Sequence, residues 1–373
     1  MKRFALGAIL IAWGAACVSR PLAPAIPSGG TPLPRYVRVQ VVEQGIAAVR
    51  DVPLEEYVHA TVLSEVAPAA GEVATVGRMF EVQAVISRTY AVSHLGRHSR
   101  EGFDLCSTTH CQLFEPRRLL TSRWAAASSE AVARTAGVIL TFAHQPAQAL
   151  FHADCGGYTS TSAAVWGGVD RPYLVARPDE GVPRESHAAW RFEASVADLS
   201  AALNGYSTGD RTRTSHELDA IEVVSRDESG RAERLTVRSR TRGEAGGAVV
   251  NRVLRGDEFR LALSRTFGPR ALRSTRFEVR RAGGLFTFEG QGFGHGVGLC
   301  QAGALARLKA GTSPADVMRH YYPGTVLRPE AGGRRPGDPW STYSKLLPGP
   351  WPLAPGLWPP ASGLSSSSHT RPR

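Results

Sequence analysis

The sequence contains very little lysine and, beyond its first residues, no long apolar run. Only three of its 44 basic residues are lysine, so the formal charge of +11 comes almost entirely from arginine and indicates function only weakly. Basic patches interleaved with aromatic residues are missing, as is any zinc-finger spacing, which argues against a nucleic-acid partner. No stretch after the N-terminus is apolar over the length that a membrane helix needs. With 373 residues, 42% of them hydrophobic, the chain is large enough for a real core.

A nucleotide-binding signature is also missing, although the chain has a glycine-rich loop. Residues 290–298 hold five glycines around His295 and follow a strand predicted from Leu285 to Phe288. No glycine triplet fits the dinucleotide fingerprint, and no Lys-Ser/Thr pair follows. The loop predicts unpaired N–H groups at the start of the next helix, facing a polar or negatively charged group. A tight turn with a purely structural His295 explains the same residues.

The N-terminus has the features of an export signal. Lys2 and Arg3 precede an apolar run from Phe4 to Trp13, and small residues lead to Cys17. We predict a signal peptide or lipoprotein signal over 1–17, in which Cys17 would be acylated. Ordinary signal cleavage nearby is the alternative.

The sequence therefore predicts an exported protein of the periplasm or cell envelope, whose only contact with the membrane would be a lipid on Cys17. Pro/Gly-rich residues 18–35 predict a flexible tether, and the Pro, Gly and Ser content of 329–373 predicts a disordered tail. Net positive charge in an exported protein suits the anionic polymers of the envelope.

Between tether and tail, the apolar periodicity predicts both strands and helices. Alternating residues favour hairpins, and apolar residues three and four apart favour helices. The predicted hairpins are 37–52 around Gly45, 220–237 around 227–230, and 276–288 around 283–284; the predicted helices are 54–66 and 79–95, with another that opens at Ser313 as its N-cap.

Six short motifs occur in a fixed order between about residues 36 and 328. None of them would be decisive alone. They are 54–66, with LSEV at its end, EVQAVISRTYA at 81–91, CSTTHCQ at 106–112, FHADCGGYT at 151–159, the glycine loop with its flank at 290–301, and YYPG at 321–324. Together they resemble the SpoIID/LytB family of cell-wall proteins.

The resemblance implies a peptidoglycan lytic transglycosylase that acts on glycan strands stripped of stem peptides. Such an enzyme cleaves between N-acetylmuramic acid and N-acetylglucosamine and leaves a 1,6-anhydro end. The family's catalytic acid closes the first helix, and the matching position here is Glu65. The family also includes amidase enhancers of the LytB type, so a non-catalytic protein that binds glycan and assists a cell-wall amidase is the alternative.

One carboxyl group is enough for this reaction. A glycosidase that uses water generally needs two carboxylates, whereas here the C6 hydroxyl of muramic acid attacks its own anomeric carbon. Glu65 lies near the C-terminal end of its predicted helix, where the helix dipole disfavours an anion and a neighbouring core removes water. Both effects raise the pKa toward the protonated form that a general acid needs. Without the resemblance, a solvated helix carboxylate would be the simpler interpretation.

Six further residues are candidates for holding the glycan. Arg88 and Tyr90 are predicted on the second helix, facing the first, where they would bind a sugar hydroxyl or the lactyl carboxylate. A surface arginine and a buried tyrosine are the simpler interpretations of these two. The other four lie in or beside glycine-containing turns and would rim a cleft; they are His152, Tyr158, His295 and Gln301.

The expected architecture is an α+β fold. A helical part that carries Glu65 would pack against a β-hairpin-rich part, with the glycan cleft between them. No organic cofactor is expected, and the expected partners are peptidoglycan glycan strands and a cell-wall amidase.

The paired cysteines indicate either a disulfide or a metal. Cys106 and Cys111 would close a small disulfide loop in an exported protein, or they would give thiolates to structural zinc, with an imidazole from His110 or His98. The resemblance implies a metal at the paired cysteines in some members, with a histidine slightly upstream, and His98 stands two residues farther away than that. A zinc hydrolase centred on the two cysteines is a further alternative.

A nucleophilic cysteine is another hypothesis. Cys155 or Cys300 would be paired with His152 or His295. No Asn or Asp stands in an obvious position to orient the histidine, and no local signature matches. This chemistry is therefore less well supported than an acid at Glu65.

Overall fold

The computed structural model describes residues 33–43, 45–66, 68, 71–180, 187–205, 216–241 and 247–328. The predicted signal at 1–17, most of the predicted tether and the predicted tail lie outside the described residues. Within the described ranges, no helix combines the length and the apolar character needed to cross a bilayer.

Helices and strands are mixed along the described chain. The helices are α1 Leu54–Glu65, α2 Val73–Ser93, α3 Arg118–Thr121, α4 Ala125–Arg134, α5 Ser162–Trp166, α6 Val196–Gly205, α7 Gly256–Phe267, α8 Gln301–Lys309 and α9 Pro314–Tyr321. The strands are β1 Tyr36–Glu43, β2 Ile46–Pro53, β3 Leu105–Cys106, β4 Ile139–Phe142, β5 Gln145–Pro146, β6 Phe151–His152, β7 Ala189–Ser195, β8 His216–Arg226, β9 Ala232–Thr241, β10 Val249–Arg255, β11 Phe277–Ala282, β12 Leu285–Gln291, β13 Leu299–Cys300 and β14 Val326–Arg328.

The N-terminal hairpin leads directly into the helix that carries Glu65. β1 and β2 pair in antiparallel fashion, and β3 joins β1 in parallel. The helix begins at Leu54, whose N–H donates to the carbonyl of Arg35 at 3.0 Å. Val39 and Tyr57 are fully buried in a first apolar core between this hairpin, α1 and α2. The hairpin thus fixes the position at which α1 starts.

α2 is buried on nearly all sides because it separates two apolar cores. Phe80 and Ala84 belong to the first core, while Val82 and Ile86 pack into a second core with β13, α8 and α9. A helix that is apolar around its circumference needs such cover on every side. Val66, directly after α1, packs against both cores, so Glu65 lies where they meet.

The second core is completed by residues that are far apart in the chain. β6 and β13 pair in parallel, with Phe151 opposite Leu299 and His152 opposite Cys300. The chain between them builds a third, β-rich core. Two three-stranded sheets, in the orders β10-β9-β8 and β11-β12-β7, pack there with α6 and α7.

The observed elements confirm the α+β fold and each of the three predicted hairpins. Ser313 caps α9 as predicted, because its hydroxyl accepts the N–H of Asp316 at 3.1 Å. The predicted start of α2 at Met79 is wrong, since the helix begins at Val73. The added first turns include Gly77, which is buried within the helix, where tertiary packing outweighs its low helix propensity.

The cleft expected beside Glu65 stays a prediction. A surface cavity of about 250 Å³ is lined by residues of α2, β4 and β5 and by the segment 170–173. Neither Glu65 nor any predicted sugar-binding residue lines it. The candidate site is therefore described from the contacts around Glu65.

Candidate active site and metal centre

Glu65 is the last residue of α1, and its carboxylate meets the loop that follows β3. Its Oε1 accepts the backbone N–H of Leu113 at 2.6 Å. The preceding residue also joins the two segments, because Ser64 Oγ accepts the N–H of Glu115 at 3.0 Å and donates to the carbonyl of Ala60 at 2.7 Å. Two consecutive residues of the helix end are therefore hydrogen-bonded to one loop.

Burial changes the acidity of Glu65. Removal of water raises its pKa to about 7, the hydrogen bond from Leu113 opposes that rise, and the charge of Glu115 adds to it. A carboxyl group with this pKa exchanges a proton near neutrality, as a general acid and base must. Loss of water through burial, which the sequence analysis expected from a neighbouring core, is the largest cause of the raised pKa.

A chain of amides fixes the backbone behind Glu65. Gln301 Nε2 donates to the carbonyl of Glu65 at 3.5 Å and to Gln83 Oε1 at 3.1 Å. Gln83 Nε2 in turn donates to Ser87 Oγ at 3.1 Å, and Gln112 Nε2 donates to the Ser87 carbonyl at 3.3 Å. The structure thus brings Gln301 to Glu65 across 236 positions of sequence.

Arg88 does not face a substrate. It is fully buried, and its guanidinium donates to both oxygens of Glu55, at 2.8 and 2.5 Å, and to the carbonyl of Val138 at 3.1 Å. The guanidinium N–H groups that would bind a sugar hydroxyl or a lactyl carboxylate are thus already hydrogen-bonded to Glu55 and Val138. The expectation that Arg88 binds glycan is therefore corrected, and its role is to join α1, α2 and the start of β4.

Tyr90 lies closer to the candidate site but is largely enclosed. Its side chain is 4% exposed, and its hydroxyl accepts a hydrogen bond from Arg97 at 3.1 Å. Burial raises its pKa well above the ordinary tyrosine range. The phenol therefore remains a neutral group beside the loop that carries the two cysteines.

His152 and His295 form a pair of neutral imidazoles. Their ring centroids are 5.5 Å apart. Nδ1 of His152 donates to the carbonyl of Val297 at 3.2 Å, whereas Nδ1 of His295 accepts the N–H of Val297 at 3.0 Å. Burial lowers the pKa of both, to about 4 for His295, so neither carries charge at neutral pH.

Tyr158 is hydrogen-bonded to a different segment. Its hydroxyl donates to the carboxylate of Glu228 at 2.5 Å. It is half-buried and contacts the turn between β8 and β9. No hydrogen bond to Glu65 or to the two histidines is seen for Tyr158 in the described part of the chain.

Two N–H groups at the start of α8 are already paired, contrary to the sequence-based expectation that they are open. At the start of α8, the N–H of Ala302 donates to the carbonyl of Ala153 at 3.0 Å, and that of Gly303 donates to Cys300 Sγ at 3.3 Å. The glycines instead allow neighbouring backbone segments to pack closely against the loop. Gly298 has φ +73°, and a Cβ there would collide with the carbonyl of Leu150.

Four potential metal ligands converge beside Glu65. The ligand atoms of His98, Cys106, His110 and Cys111 all lie within 4.8 Å of one another. The Sγ···N distances are 3.4 Å for Cys111 to His98, 3.7 Å for Cys106 to His110 and 3.8 Å for Cys111 to His110. A tetrahedral zinc site with Zn–S of about 2.3 Å and Zn–N of about 2.0 Å has N···S edges of about 3.5 Å. The residues present therefore fit zinc.

Two further contacts prepare this cluster for a metal. His98 Nδ1 is hydrogen-bonded to Glu101 at 2.6 Å, which leaves Nε2 directed at Cys111. This carboxylate-histidine arrangement is the usual support of a metal-bound imidazole. A hydrogen bond from Cys111, together with others from Thr108 and His110, lowers the pKa of Cys106 to about 3. All four cysteines of the described chain are free thiols.

The other two cysteines form a separate buried cluster. Cys155 and Cys300 are both fully buried. An aspartate and a histidine do lie beside Cys155, because Asp154 is hydrogen-bonded to Nδ1 of His187 at 2.7 Å. The sequence did not suggest His187, which lies 33 residues away. Full burial denies a substrate access to either thiol, so the cysteine-nucleophile hypothesis has no support in this geometry.

Comparisons with known proteins place these residues in a family. The family model described as "Stage II sporulation protein" matches residues 42–142, the range that holds Glu65 and the four potential metal ligands. A domain of unknown function matches residues 182–298, which cover most of the β-rich part.

Similar proteins have related names. "Stage II sporulation protein D" of Bacillus amyloliquefaciens is 30% identical over 306 residues, which is 78% of each chain. The protein of the same name from Bacillus subtilis is 28% identical over 305 residues, 78% of this chain and 79% of that one. The "Amidase enhancer" of Bacillus subtilis is 25% identical over 276 residues, 66% of this chain and 37% of the relative. The chain therefore belongs to the SpoIID/LytB family.

Proposed function

We propose that this protein is a peptidoglycan lytic transglycosylase in which Glu65 is the single acid and base. The observation that carries the proposal is the environment of that carboxyl group. Glu65 has a pKa of about 7 and is held in place by the N–H of Leu113. It occurs within a family whose named members act in sporulation and as an amidase enhancer.

The reaction needs one proton to be given and one to be taken. Protonated Glu65 donates its proton to the oxygen that joins N-acetylmuramic acid to N-acetylglucosamine, and the C1–O bond breaks. The resulting carboxylate then accepts the proton of the C6 hydroxyl, whose oxygen bonds to C1 and closes the 1,6-anhydro ring. Water is not consumed, and Glu65 ends in its starting form. A pKa near 7 suits both steps.

A second carboxylate is not required by this scheme. Glu115 is the carboxylate whose charge raises the pKa of Glu65. Its side chain is already engaged in an ion pair with Arg118 at 2.6 Å. We therefore assign Glu115 an electrostatic influence on Glu65 and no covalent step.

The metal centre is proposed to be structural. His98, Cys106, His110 and Cys111 would supply four protein ligands, which closes the coordination shell of zinc and leaves no position for a substrate. Zinc would contribute folding energy to the loop. The loop residues, through Leu113, then position the carboxyl group of Glu65.

We also propose that the protein works outside the cytoplasm. The N-terminal pattern of 1–17, with Cys17 as its lipid attachment point, supports export to the envelope, where the net positive charge would suit anionic polymers. Glycan strands of peptidoglycan, without stem peptides, are the proposed substrate.

An amidase-enhancing role is the second candidate, and it is favoured by the similarity to the amidase enhancer. A protein of that kind would bind glycan and stimulate a cell-wall amidase without cleaving strands. It would not depend on the ionisation of Glu65. The two functions therefore differ in their products and in their response to one substitution.

Product analysis tests the proposal. Mass spectrometry of purified peptide-free strands after incubation should show 1,6-anhydro ends with the wild-type protein and none with Glu65→Gln. The matched control is Glu56→Gln, the same change on the same helix, at another carboxyl group whose pKa burial raises. Reducing ends instead of anhydro ends would contradict the transglycosylase. Intact strands together with a stimulated amidase would establish the second candidate.

A further inference from the structure

Trp166 is a large aromatic residue that the fold holds rigidly while leaving it open. It ends the short helix α5, and 40% of it is exposed. Its indole N–H donates to Asp257 Oδ2 at 2.9 Å. Asp257 is buried and ion-paired with Arg260 at 2.8 Å. The ring is therefore fixed by its polar edge, while part of its surface remains open to solvent.

The chain turns sharply away directly after this ring. Gly167 and Gly168 have φ values of +78° and +83°, which only glycine adopts easily. A Cβ at Gly167 would collide with the guanidinium of Arg255. The turn thus places one cation beside Trp166.

Trp166 is connected to the candidate active site through two ring contacts, one strand pairing and one hydrogen bond to the backbone. Its ring centroid lies 5.0 Å from that of His295, which lies 5.5 Å from that of His152. His152 is opposite Cys300 in the β6–β13 pair, and the next residue, Gln301, donates to the carbonyl of Glu65. Trp166 and Glu65 therefore lie at the two ends of one connected set of residues.

We propose that Trp166 and Arg255 form a remote binding subsite for an N-acetylmuramic acid residue of the glycan strand. The apolar C–H face of the pyranose ring would stack on the indole, and the guanidinium would pair with the lactyl carboxylate. Because the indole is already held by Asp257, binding of the sugar costs little conformational entropy in this side chain. This subsite deepens the proposed function, which supplies the identity of the strand.

Binding measured without cleavage tests the subsite separately from the reaction. In a Glu65→Gln background, isothermal titration with purified peptide-free strands should show that Trp166→Ala weakens binding about tenfold, equivalent to about 1.4 kcal/mol. Trp166→Phe should retain part of the affinity because a ring remains. Val169→Ala, at a site that is 91% exposed and three residues away, is the matched control and should bind like the parent.

A second ligand separates the two contacts. Chitooligosaccharides contain N-acetylglucosamine but no lactyl carboxylate, so Arg255→Gln should weaken binding of peptidoglycan strands and leave binding of chitooligosaccharides unchanged. Trp166→Ala should weaken binding of both. Thermal unfolding of each variant shows whether the protein remains folded.

The outcomes distinguish this subsite from the reaction. If folded Trp166→Ala binds strands as tightly as the parent, the subsite is wrong, even where anhydro ends confirm the reaction. If Trp166→Ala loses affinity but the wild-type protein forms no anhydro ends, the subsite stands and the transglycosylase is wrong. Equal loss of both ligands in Arg255→Gln would overturn the assignment of the lactyl carboxylate.

Discussion

The carboxylate of Glu65 and the backbone N–H of Leu113 are joined by a hydrogen bond of 2.6 Å. Leu113 is two residues beyond Cys111, a member of the cluster that fits zinc. The end of α1 and the cysteine loop therefore meet at a single carboxyl group. A substitution that disrupts the metal centre is therefore expected to displace the carboxyl group of Glu65 as well.

Cleavage should depend on pH through Glu65. The general acid must be protonated, and its pKa is raised to about 7 by burial. The rate of formation of anhydro ends should therefore be nearly constant from pH 5 to 6 and fall about tenfold per pH unit above 7. A rate profile with purified strands measures this directly. A rate that is flat through pH 9 would contradict a protonated Glu65 as the acid.

The free energy of unfolding should also depend on pH through Glu65. A folded-state pKa above the ordinary value of 4.5 means that the native protein keeps a proton which the unfolded chain releases. The contribution of Glu65 to the free energy of unfolding is therefore fully present below about pH 4.5 and is lost as the pH rises to about 7. Glu65→Gln cannot ionise and still offers an oxygen to Leu113. Urea unfolding should show a gain for this variant on the order of 3 kcal/mol at pH 8 and little change at pH 4.

The control for this measurement is the same comparison of Glu65→Gln with wild type at pH 4, where ionisation makes no difference. A difference between Glu65→Gln and wild type that stays constant from pH 4 to pH 8 would mean that packing, rather than ionisation, causes it. Such a result would remove the support for a raised pKa.

The metal centre should bind one zinc ion per chain and stabilise the loop that carries Leu113. Cys106→Ser and His98→Ala each remove a ligand, so purified variants should contain less zinc, unfold at lower temperature and cleave strands more slowly. Elemental analysis and thermal unfolding measure the first two. His144→Gln changes an exposed histidine that belongs to no group of potential metal ligands among the described residues, and this variant should keep its zinc.

A disulfide at the same position gives a different result. If Cys106 and Cys111 are oxidised in the exported protein, the intact mass is lower by two hydrogens, and zinc is absent from the wild type as well. That observation would contradict the metal centre and restore the disulfide alternative.

Arg88 should matter for folding and not for glycan affinity. Arg88→Ala removes the partner of Glu55 from a fully buried site, and we expect a loss of about 2–4 kcal/mol in the free energy of unfolding. Arg319→Ala breaks an ion pair between two exposed side chains and should cost less than about 1 kcal/mol. If Arg88→Ala instead retained wild-type stability and lost strand binding, Arg88 would contact glycan and its structural role would be wrong.

The sequence predicted local structure better than it predicted contacts. The hairpin around Gly45 and the cap at Ser313 follow from short-range patterns, and both are observed. Arg88 was misjudged because a helical stripe does not reveal that Glu55, 33 residues away, lies opposite its guanidinium. Side-chain pairing across helices is set by tertiary packing, which no single periodicity records.

Distance along the chain was also a poor guide to the metal cluster. His98 stands two residues farther from the paired cysteines than the resemblance implies, yet its side chain is one of the four potential ligands that converge. A 3₁₀ turn at Ser99–Glu101 and an antiparallel bridge from His98 to Phe103 fold the chain back and shorten the path. The sequence did not single out Trp166, because the hydrogen bond that fixes its indole is made to Asp257, 91 residues later.

The parallel pairing of Phe151–His152 with Leu299–Cys300 joins segments that lie far apart in the chain, so the second core can close only when most of the chain is present. In the proposed export route, Glu65 would emerge early, but α8 and α9 would arrive only after the whole β-rich part. Until then, Val82 and Ile86 on α2 lack their apolar cover, and a loop of about 150 residues remains unclosed. A chain that ends before α8 should therefore leave these apolar residues exposed and be cleaved by proteases more readily than the full-length chain.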